Sequence, residues 1–212
     1  MGVPSRFGQI QADAYLGSAN DNSPFGKIWY VDTTNGSDGN SGTAPDEAYA
    51  TIGAAITASV ATRGDSIVIA PGTYTITSVL SPKADTTFRA AVVLPQYPAV
   101  SIRGSSIELV NVDVDGVRFI GIEFRSTGTP GRIVDLADTA NVNGVTFEDC
   151  VFRGSGAMGI GLSALDGTFT TTGLVFRRCN FRSLGKSAMV VGVLGIPDAK
   201  IEDNTIRISS GC

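Results

Sequence analysis

The sequence contains no histidine. Histidine is the commonest general base and belongs to most serine and cysteine triads and most zinc sites, so this absence excludes the usual form of each. Cysteine is scarce, because Cys150, Cys179 and Cys212 leave an odd thiol and do not form the even set typical of a disulfide framework. We predict that Cys150 and Cys179 are small core residues, since cysteine is among the most buried residue types.

Long runs of one residue class are also missing. No run of Lys or Arg occurs and the net charge is -4, so the sequence shows no basic footprint of a nucleic-acid binder. No apolar stretch approaches the length of a membrane span, and the opening MGVPSRFGQIQADAYLG has no apolar core of a secretory signal. We predict no nucleic acid and no membrane as partners. Either a signal was removed or the protein leaves its cell another way, such as phage lysis.

Four segments repeat one another in the second half of the chain. They read DGVRFIGIEF (115–124), NGVTFEDCVF (143–152), TGLVFRRCNF (172–181) and DAKIEDNTI (198–206). Superposition aligns two columns of apolar residues, which are Phe119, Phe147, Phe176 and Ile201 in the first and Phe124, Phe152, Phe181 and Ile206 in the second. Repeats of about 25–30 residues with short alternating strands predict an all-β fold, a right-handed single-stranded parallel β-helix of about six turns.

The rest of the chain divides into two further parts. Residues 1–27 show neither helical nor strand periodicity, and we predict an extended N-terminal arm, with a tail of no function as the alternative. Residues 28–65 hold a strand, a turn-rich loop and an α-helix near 49–61, with apolar residues at helical spacing: Ala48, Ile52, Ala55, Ile56 and Val60. We expect that helix to cap the open apolar end of the β-helix formed by residues 66–212.

The residues before the repeats resemble a known superfamily. The segments WYVDTTNGSDGNSGTAPDEAYATIGAAI (29–56) and GDSIVIAPGTYTIT (64–77) resemble the opening of the pectate-lyase-like right-handed parallel β-helix superfamily. This resemblance implies the same fold for the present chain. The superfamily includes pectate lyases, surface proteins, phage tailspikes and capsid decoration proteins. The arm joined directly to this opening is similar to phage virion proteins of the class.

Carboxylate pairs are the candidates for catalysis, because glycoside hydrolysis uses two. Asp113 and Asp115 lie on one strand face, Asp135 and Asp138 form a second pair, and Glu148 follows on a later strand. We interpret all five as solvated surface and turn residues.

Two further motifs suggest binding sites at first sight. Asp38, Asn40 and Gly42 match part of a calcium loop, but Tyr49 stands where its bidentate Glu belongs. GSGAMG (154–159) matches a dinucleotide motif but precedes a strand, which lacks the helix N-terminus that binds pyrophosphate. We predict no metal and no cofactor.

These observations favour a phage virion structural protein that is not an enzyme. We predict a trimeric capsid decoration or cement protein on the capsid surface, bound to the major capsid protein through its arm. The partner-binding residues would be Arg6, Phe7, Ile10, Tyr15, Leu16 and Phe25. The alternatives are a tailspike or secreted polysaccharide-binding or polysaccharide-cleaving β-helix enzyme, and an adhesion or fibre module.

Overall fold

The computed structural model describes residues 25–94, 97–105, 108–127, 133–136, 139–154, 169–184 and 198–208. Within these ranges the strands pair in parallel and the helices are few, so the prediction of an all-β fold with parallel sheets is confirmed. The handedness, the number of turns, the capping role of the helix and the three-part division of the chain stay predictions.

Two large sheets form the body of the fold. The first sheet has seven strands, β1 (Ile28–Val31), β2 (Ser66–Ile69), β4 (Thr87–Ala90), β7 (Arg118–Ile120), β11 (Thr146–Glu148), β14 (Val175–Arg177) and β16 (Lys200–Glu202). The second has six, β3 (Gly72–Thr75), β5 (Val100–Gly104), β8 (Ile122–Ser126), β12 (Val151–Arg153), β15 (Asn180–Leu184) and β17 (Thr205–Ile208). Two smaller sheets pair β6 (Val110–Val112) with β9 (Val134–Leu136) and β10 (Val142–Asn143) with β13 (Thr171–Thr172).

Stacked phenylalanines fill the space between the two large sheets. On the first sheet Phe147 lies between Phe119 and Phe176, with ring centroids 5.1 Å and 5.0 Å away and rings nearly parallel. On the second sheet Phe124, Phe152 and Phe181 stack in the same way. The strand register places Ile201 and Ile206 at the ends of the two columns, which confirms both predicted columns. Phe88, which we did not predict, extends the first column.

The corner between the two large sheets repeats at equivalent positions. Gly121, Asp149, Arg178 and Asp203 have φ angles of 72°, 53°, 51° and 55°. This left-handed conformation turns the chain from one sheet into the next. At Gly121 the space is also limited, because a Cβ built there would lie 2.9 Å from a methyl group of Val93.

The two cysteines follow this corner in adjacent turns and are both buried and free, as predicted. Cys150 Sγ lies 3.4 Å from the carbonyl oxygen of Phe119, and Cys179 Sγ lies 3.4 Å from that of Phe147. Asn204 takes the same place in the next turn and donates to Phe176. Burial raises the pKa of the Cys150 thiol well above its usual range. These cysteines therefore pack the core and connect turns.

The α-helix α1 (Ile52–Ala58) is shorter than predicted. Asp38 accepts hydrogen bonds from the backbone amides of Ala50 and Thr51, which keeps them outside the helix, and the Thr51 hydroxyl caps its first turn. Ile52, Ala55 and Ile56 are buried in the core, as predicted. No helix in the described part of the chain is long and apolar enough to cross a membrane.

Asp65 joins the strand, loop and helix at this end of the fold. Its buried carboxylate accepts hydrogen bonds from the Trp29 indole, the backbone amides of Lys27 and Val60, and the Arg63 guanidinium at 2.6 Å. Burial by itself would raise the pKa of Asp65, but the hydrogen bonds from Arg63, Trp29 and the two amides outweigh it. They lower that pKa from its ordinary value of 3.8 to about 2.

We expect Asp65 to make stability depend on acid pH. Because its folded pKa lies below its unfolded one, its contribution is fully present above pH 3.8 and is lost as the pH falls toward 2. The loss amounts to about 2 kcal/mol. Urea unfolding between neutral pH and pH of about 2 measures it. Asp65→Asn should lack this component, whereas Asp46→Asn, at an exposed carboxylate, should retain it; equal pH dependence in all three proteins would contradict the assignment.

Candidate functional site: an arginine column on the second sheet

Five arginines occupy one register position on successive strands of the second sheet. These residues, which we call the arginine column, are Arg103, Arg125, Arg153, Arg182 and Arg207. Neighbouring strands lie about 4.8 Å apart, so the column advances by one arginine at each such step. The chain as a whole has 16 basic and 20 acidic residues, and this column therefore concentrates nearly a third of its positive charge.

The alternation of the strands produces this arrangement. Arg125, Arg153 and Arg182 directly follow Phe124, Phe152 and Phe181 of the second apolar column, and Arg103 follows Ile102, which pairs with Phe124. Successive side chains of a strand point to opposite faces, so burial of the phenylalanine places the next side chain on the outer face. The Arg153 side chain is 46% exposed accordingly, and Arg103 and Arg125 are half-buried.

One carboxylate, Glu123, contacts two arginines of the column, one of them through a hydroxyl group. Its Oε2 accepts a hydrogen bond of 2.5 Å from the Ser101 hydroxyl, which in turn accepts one of 3.0 Å from Arg103 Nε. Its Oε1 lies 3.9 Å from Arg153 Nη1, and its side chain is 15% exposed. Arg125, between these two arginines, has no hydrogen bond or ion pair in the same part of the structure.

The charges on the first sheet are arranged differently. There Arg178 lies 2.6 Å from Glu148 and 2.8 Å from Asp149, and Arg177 lies 3.0 Å from Glu202. The carboxylates of Asp149 and Glu148 raise the pKa of Arg178. Like charges on directly adjacent strands are destabilising, and opposite charges are stabilising. Around Arg103, Arg125 and Arg153 the arginines outnumber the carboxylate Glu123, while on the first sheet Arg177 and Arg178 are paired with carboxylates.

The first predicted carboxylate pair connects adjacent turns. Asp113 accepts hydrogen bonds from the backbone amide and the hydroxyl of Thr139, at 3.0 Å and 2.8 Å. Asp115 accepts hydrogen bonds from the backbone amide and the side chain of Asn143, at 2.7 Å and 3.3 Å. Both carboxylates therefore bind the turn that follows them.

The remaining predicted carboxylates do not gather into a site. Asp135 is 2% exposed on β9, Asp138 lies outside the described residues, and Glu148 belongs to the ion pairs of the first sheet. In the loop that partly matches a calcium-binding pattern, Asp38 accepts hydrogen bonds from the start of the helix, and Asn40 donates to the carbonyl of Ala48. In the ranges that the structure describes, no three His, Cys, Asp or Glu residues lie close enough together to hold a metal ion.

Most predicted partner-binding residues lie outside the described residues. This applies to Arg6, Phe7, Ile10, Tyr15 and Leu16. Phe25 is described and is 71% exposed. The GSGAMG motif also lies outside, except for Gly154. The arm, the major capsid protein as partner, the trimer, the virion location and the absence of nucleic acid and membrane partners stay predictions.

The sequence analysis missed the arginine column. It considered consecutive basic residues only, and these arginines lie 22 to 29 positions apart. Alignment of the repeats would have revealed them, because the second apolar residue of each repeat is followed by Arg in FR, FR, FR and IR. The search for a basic footprint did not consider this spacing, and the absence of a nucleic-acid partner stays a prediction.

Comparison with solved structures identifies the fold. The chain is similar to a rhamnogalacturonan lyase with a TM-score of 0.60, 16% identity and 86% of this chain covered. It is also similar to a pectin methylesterase from Aspergillus niger with a TM-score of 0.53, 17% identity and 92% covered. The chain spans 54% and 62% of those two proteins. At these identities the likeness shows the fold alone, a parallel β-helix of the pectin-lyase-like type.

Two other comparisons gave no relatives, since no protein-family model and no curated protein matches the chain. The prediction that the protein is not an enzyme is contradicted by the solved structures, because both are enzymes built on this fold. That prediction rested on the missing histidine and on the carboxylates of the sequence. Some chemistry that a β-helix supports requires neither a histidine nor a carboxylate pair. We therefore withdraw the prediction that the protein is not an enzyme.

Proposed function

We propose that this protein binds an acidic polysaccharide along the arginine column. The observation that carries the proposal is the alignment of five arginines at one register position on adjacent strands. The carboxylate of Glu123 contacts Arg153 directly and Arg103 through Ser101. A column of like charges is unfavourable by itself. A bound polyanion would remove that repulsion.

The spacing of the column supports a sugar polymer. Arginines on adjacent strands are about 4.8 Å apart, which is close to the length of one pyranose unit along a polysaccharide. A polymer that lies parallel to the axis of the β-helix would then present one carboxylate to each arginine. Guanidinium groups bind carboxylates through two parallel hydrogen bonds, which makes arginine better suited to this contact than lysine.

The two similar structures support the same class of ligand. Their names identify enzymes that act on rhamnogalacturonan and on pectin, both of which contain acidic sugars. The proposal extends this class of ligand to the present chain and assigns its binding to the second sheet.

Calorimetric titration of the protein with four polymers tests the proposal. These are polygalacturonate, alginate, a neutral galactan and double-stranded DNA, each at low and at physiological salt. We expect binding to polygalacturonate or alginate that weakens with salt, and none to the galactan, because the contact is electrostatic. The proposal would be overturned if the protein bound neither polygalacturonate nor alginate, or if it bound the galactan equally tightly. A preference for DNA would instead assign the column to nucleic-acid binding.

Cleavage of the bound polymer is a second candidate function, favoured by the position of Glu123. The Glu123 carboxylate lies among Arg103, Arg125 and Arg153. A uronate bound to these arginines would bring its C5–H bond, which is acidic because C5 carries the carboxyl group, close to Glu123. In an elimination, Glu123 would take the C5 proton and the C5–H electron pair would form the C4–C5 double bond. The C4–O bond would break, and the leaving sugar oxygen would keep the electron pair of that bond and take a proton from water. Arg125 would stabilise the negative charge that develops on the uronate carboxylate.

Glu123→Gln tests this second function. The variant should lose at least about 100-fold in the rate at which ultraviolet-absorbing unsaturated product forms, because the proton acceptor is removed. Its affinity for polygalacturonate should be retained or raised, since a negative charge leaves the column. The control is Glu202→Gln on the first sheet. Absence of unsaturated product with the wild type, or full activity of Glu123→Gln, would exclude the elimination.

A further inference from the structure

The segment between β4 and β5 exposes large apolar side chains beside the second sheet. Val92, Val93, Leu94 and Tyr97 are 45%, 37%, 46% and 73% exposed. Isolated exposed apolar residues are ordinary, but several in one short segment next to a charged surface are typical of a binding site. Tyr97 is the most exposed of the four.

This segment is placed against the fold at two points. Val93 packs on the corner at Gly121, where a Cβ would approach its methyl group to 2.9 Å. The Arg182 guanidinium covers one face of the Tyr97 ring, with its carbon 5.4 Å from the ring centroid, and the ring is otherwise exposed. Arg182 belongs to β15, which is separated from β5 by β8 and β12. The Tyr97 ring, although it precedes β5 in the chain, therefore contacts the column three strands away from β5, on β15.

We infer that Tyr97 forms a sugar-stacking subsite with the ring face that Arg182 does not cover, which makes the ligand of the column a pyranose polymer. This inference rests on the proposed function and specifies how one unit of the polymer is bound. One face of a pyranose ring presents C–H groups, and the electron-rich face of an aromatic ring attracts them. A sugar stacked on Tyr97 would direct its carboxylate toward the guanidinium groups of the column.

The combination of an aromatic ring with guanidinium groups distinguishes this ligand from other polyanions. A flexible acidic polypeptide offers carboxylates but no rigid apolar ring face at a fixed distance from them. Binding sites for small ligands commonly combine apolar or aromatic walls with a few fixed polar groups. Tyr97 supplies the wall, and Arg182 and Arg153 supply the polar groups.

Titration of Tyr97→Ala and Tyr97→Phe with an oligogalacturonate and with polyglutamate tests the inference. For Tyr97→Ala we expect affinity for the oligogalacturonate to fall about fivefold to tenfold and affinity for polyglutamate to stay unchanged. Tyr97→Phe should bind both as the wild type does, because stacking does not need the hydroxyl. An unfolding midpoint temperature equal to that of the wild type would confirm that each variant keeps its fold.

The outcomes separate this inference from the proposed function. If the wild type binds the oligogalacturonate and Tyr97→Ala binds it equally well, the stacking subsite is wrong and the arginine column stands. If Tyr97→Ala weakens both ligands equally, Tyr97 acts by holding Arg182 in place, and the subsite is again overturned. If the wild type does not bind the oligogalacturonate, the proposed function itself fails.

Discussion

The double variant Arg125→Gln/Arg153→Gln is expected to bind polygalacturonate at least about 100-fold more weakly than the wild type. Arg125 lies at the middle of the described column and has no partner in the described residues, and Arg153 is 46% exposed beside it. Each would contribute a charge-assisted hydrogen bond to a carboxylate, worth about 1.5–3 kcal/mol. Calorimetry or affinity electrophoresis at physiological salt measures the loss.

A matched pair on the first sheet serves as the control. Arg118→Gln/Arg177→Gln removes the same charge from side chains that are 51% and 41% exposed and lie near Glu148 and Glu202. This control should bind within about twofold of the wild type, because only long-range attraction changes and salt screens it. Equal losses in the two double variants would mean that net charge, and not the arginine column, determines binding.

Phe147→Ala is expected to lower the free energy of unfolding by about 3–5 kcal/mol. Phe147 is fully buried and stacks on Phe119 and Phe176, with edge contacts to Phe124 and Phe152. Its truncation leaves a cavity between two stacked rings held by strands on both sides, so neighbouring groups have little freedom to fill it. Equilibrium unfolding in urea, with near-ultraviolet circular dichroism as a second probe, measures the change.

The control for the core variant is Val79→Ala, at a residue that is 39% exposed. Its effect should stay within about 0.5 kcal/mol, as for other surface substitutions. A cost below about 1 kcal/mol for Phe147→Ala would contradict the stacked core, since that value is far below the range for buried phenylalanines.

The stacked core was predictable from sequence because two periodicities coincide. Alternation along each strand fixes which side chains point inward, and the repeat brings Phe119, Phe147 and Phe176 to equivalent positions. Phe88 escaped prediction because its segment lacks the rest of the repeat. The helix was predicted too long because the contact of Asp38 with Thr51 joins residues 13 positions apart, which local spacing does not reveal.

The candidate site was less predictable for a physical reason. The arginine column is created by stacking, and its members are far apart along the chain. Arg125 and Arg153 become neighbours only when the strands pair in register. The contact of Tyr97 with Arg182 joins residues that are far apart along the chain, and no periodic pattern of the sequence encodes it. By contrast, the carboxylates Asp113 and Asp115 stood out in the sequence yet bind backbone amides of the next turn.

A crystal structure of the protein with a bound uronate oligosaccharide tests the central claim most directly. We predict that the oligosaccharide lies across the strands of the second sheet, with its carboxylates within hydrogen-bond distance of Arg125 and Arg153. An oligosaccharide bound on the first sheet, or on the short sheet of β6 and β9, with the arginine column left in solvent, would contradict the account.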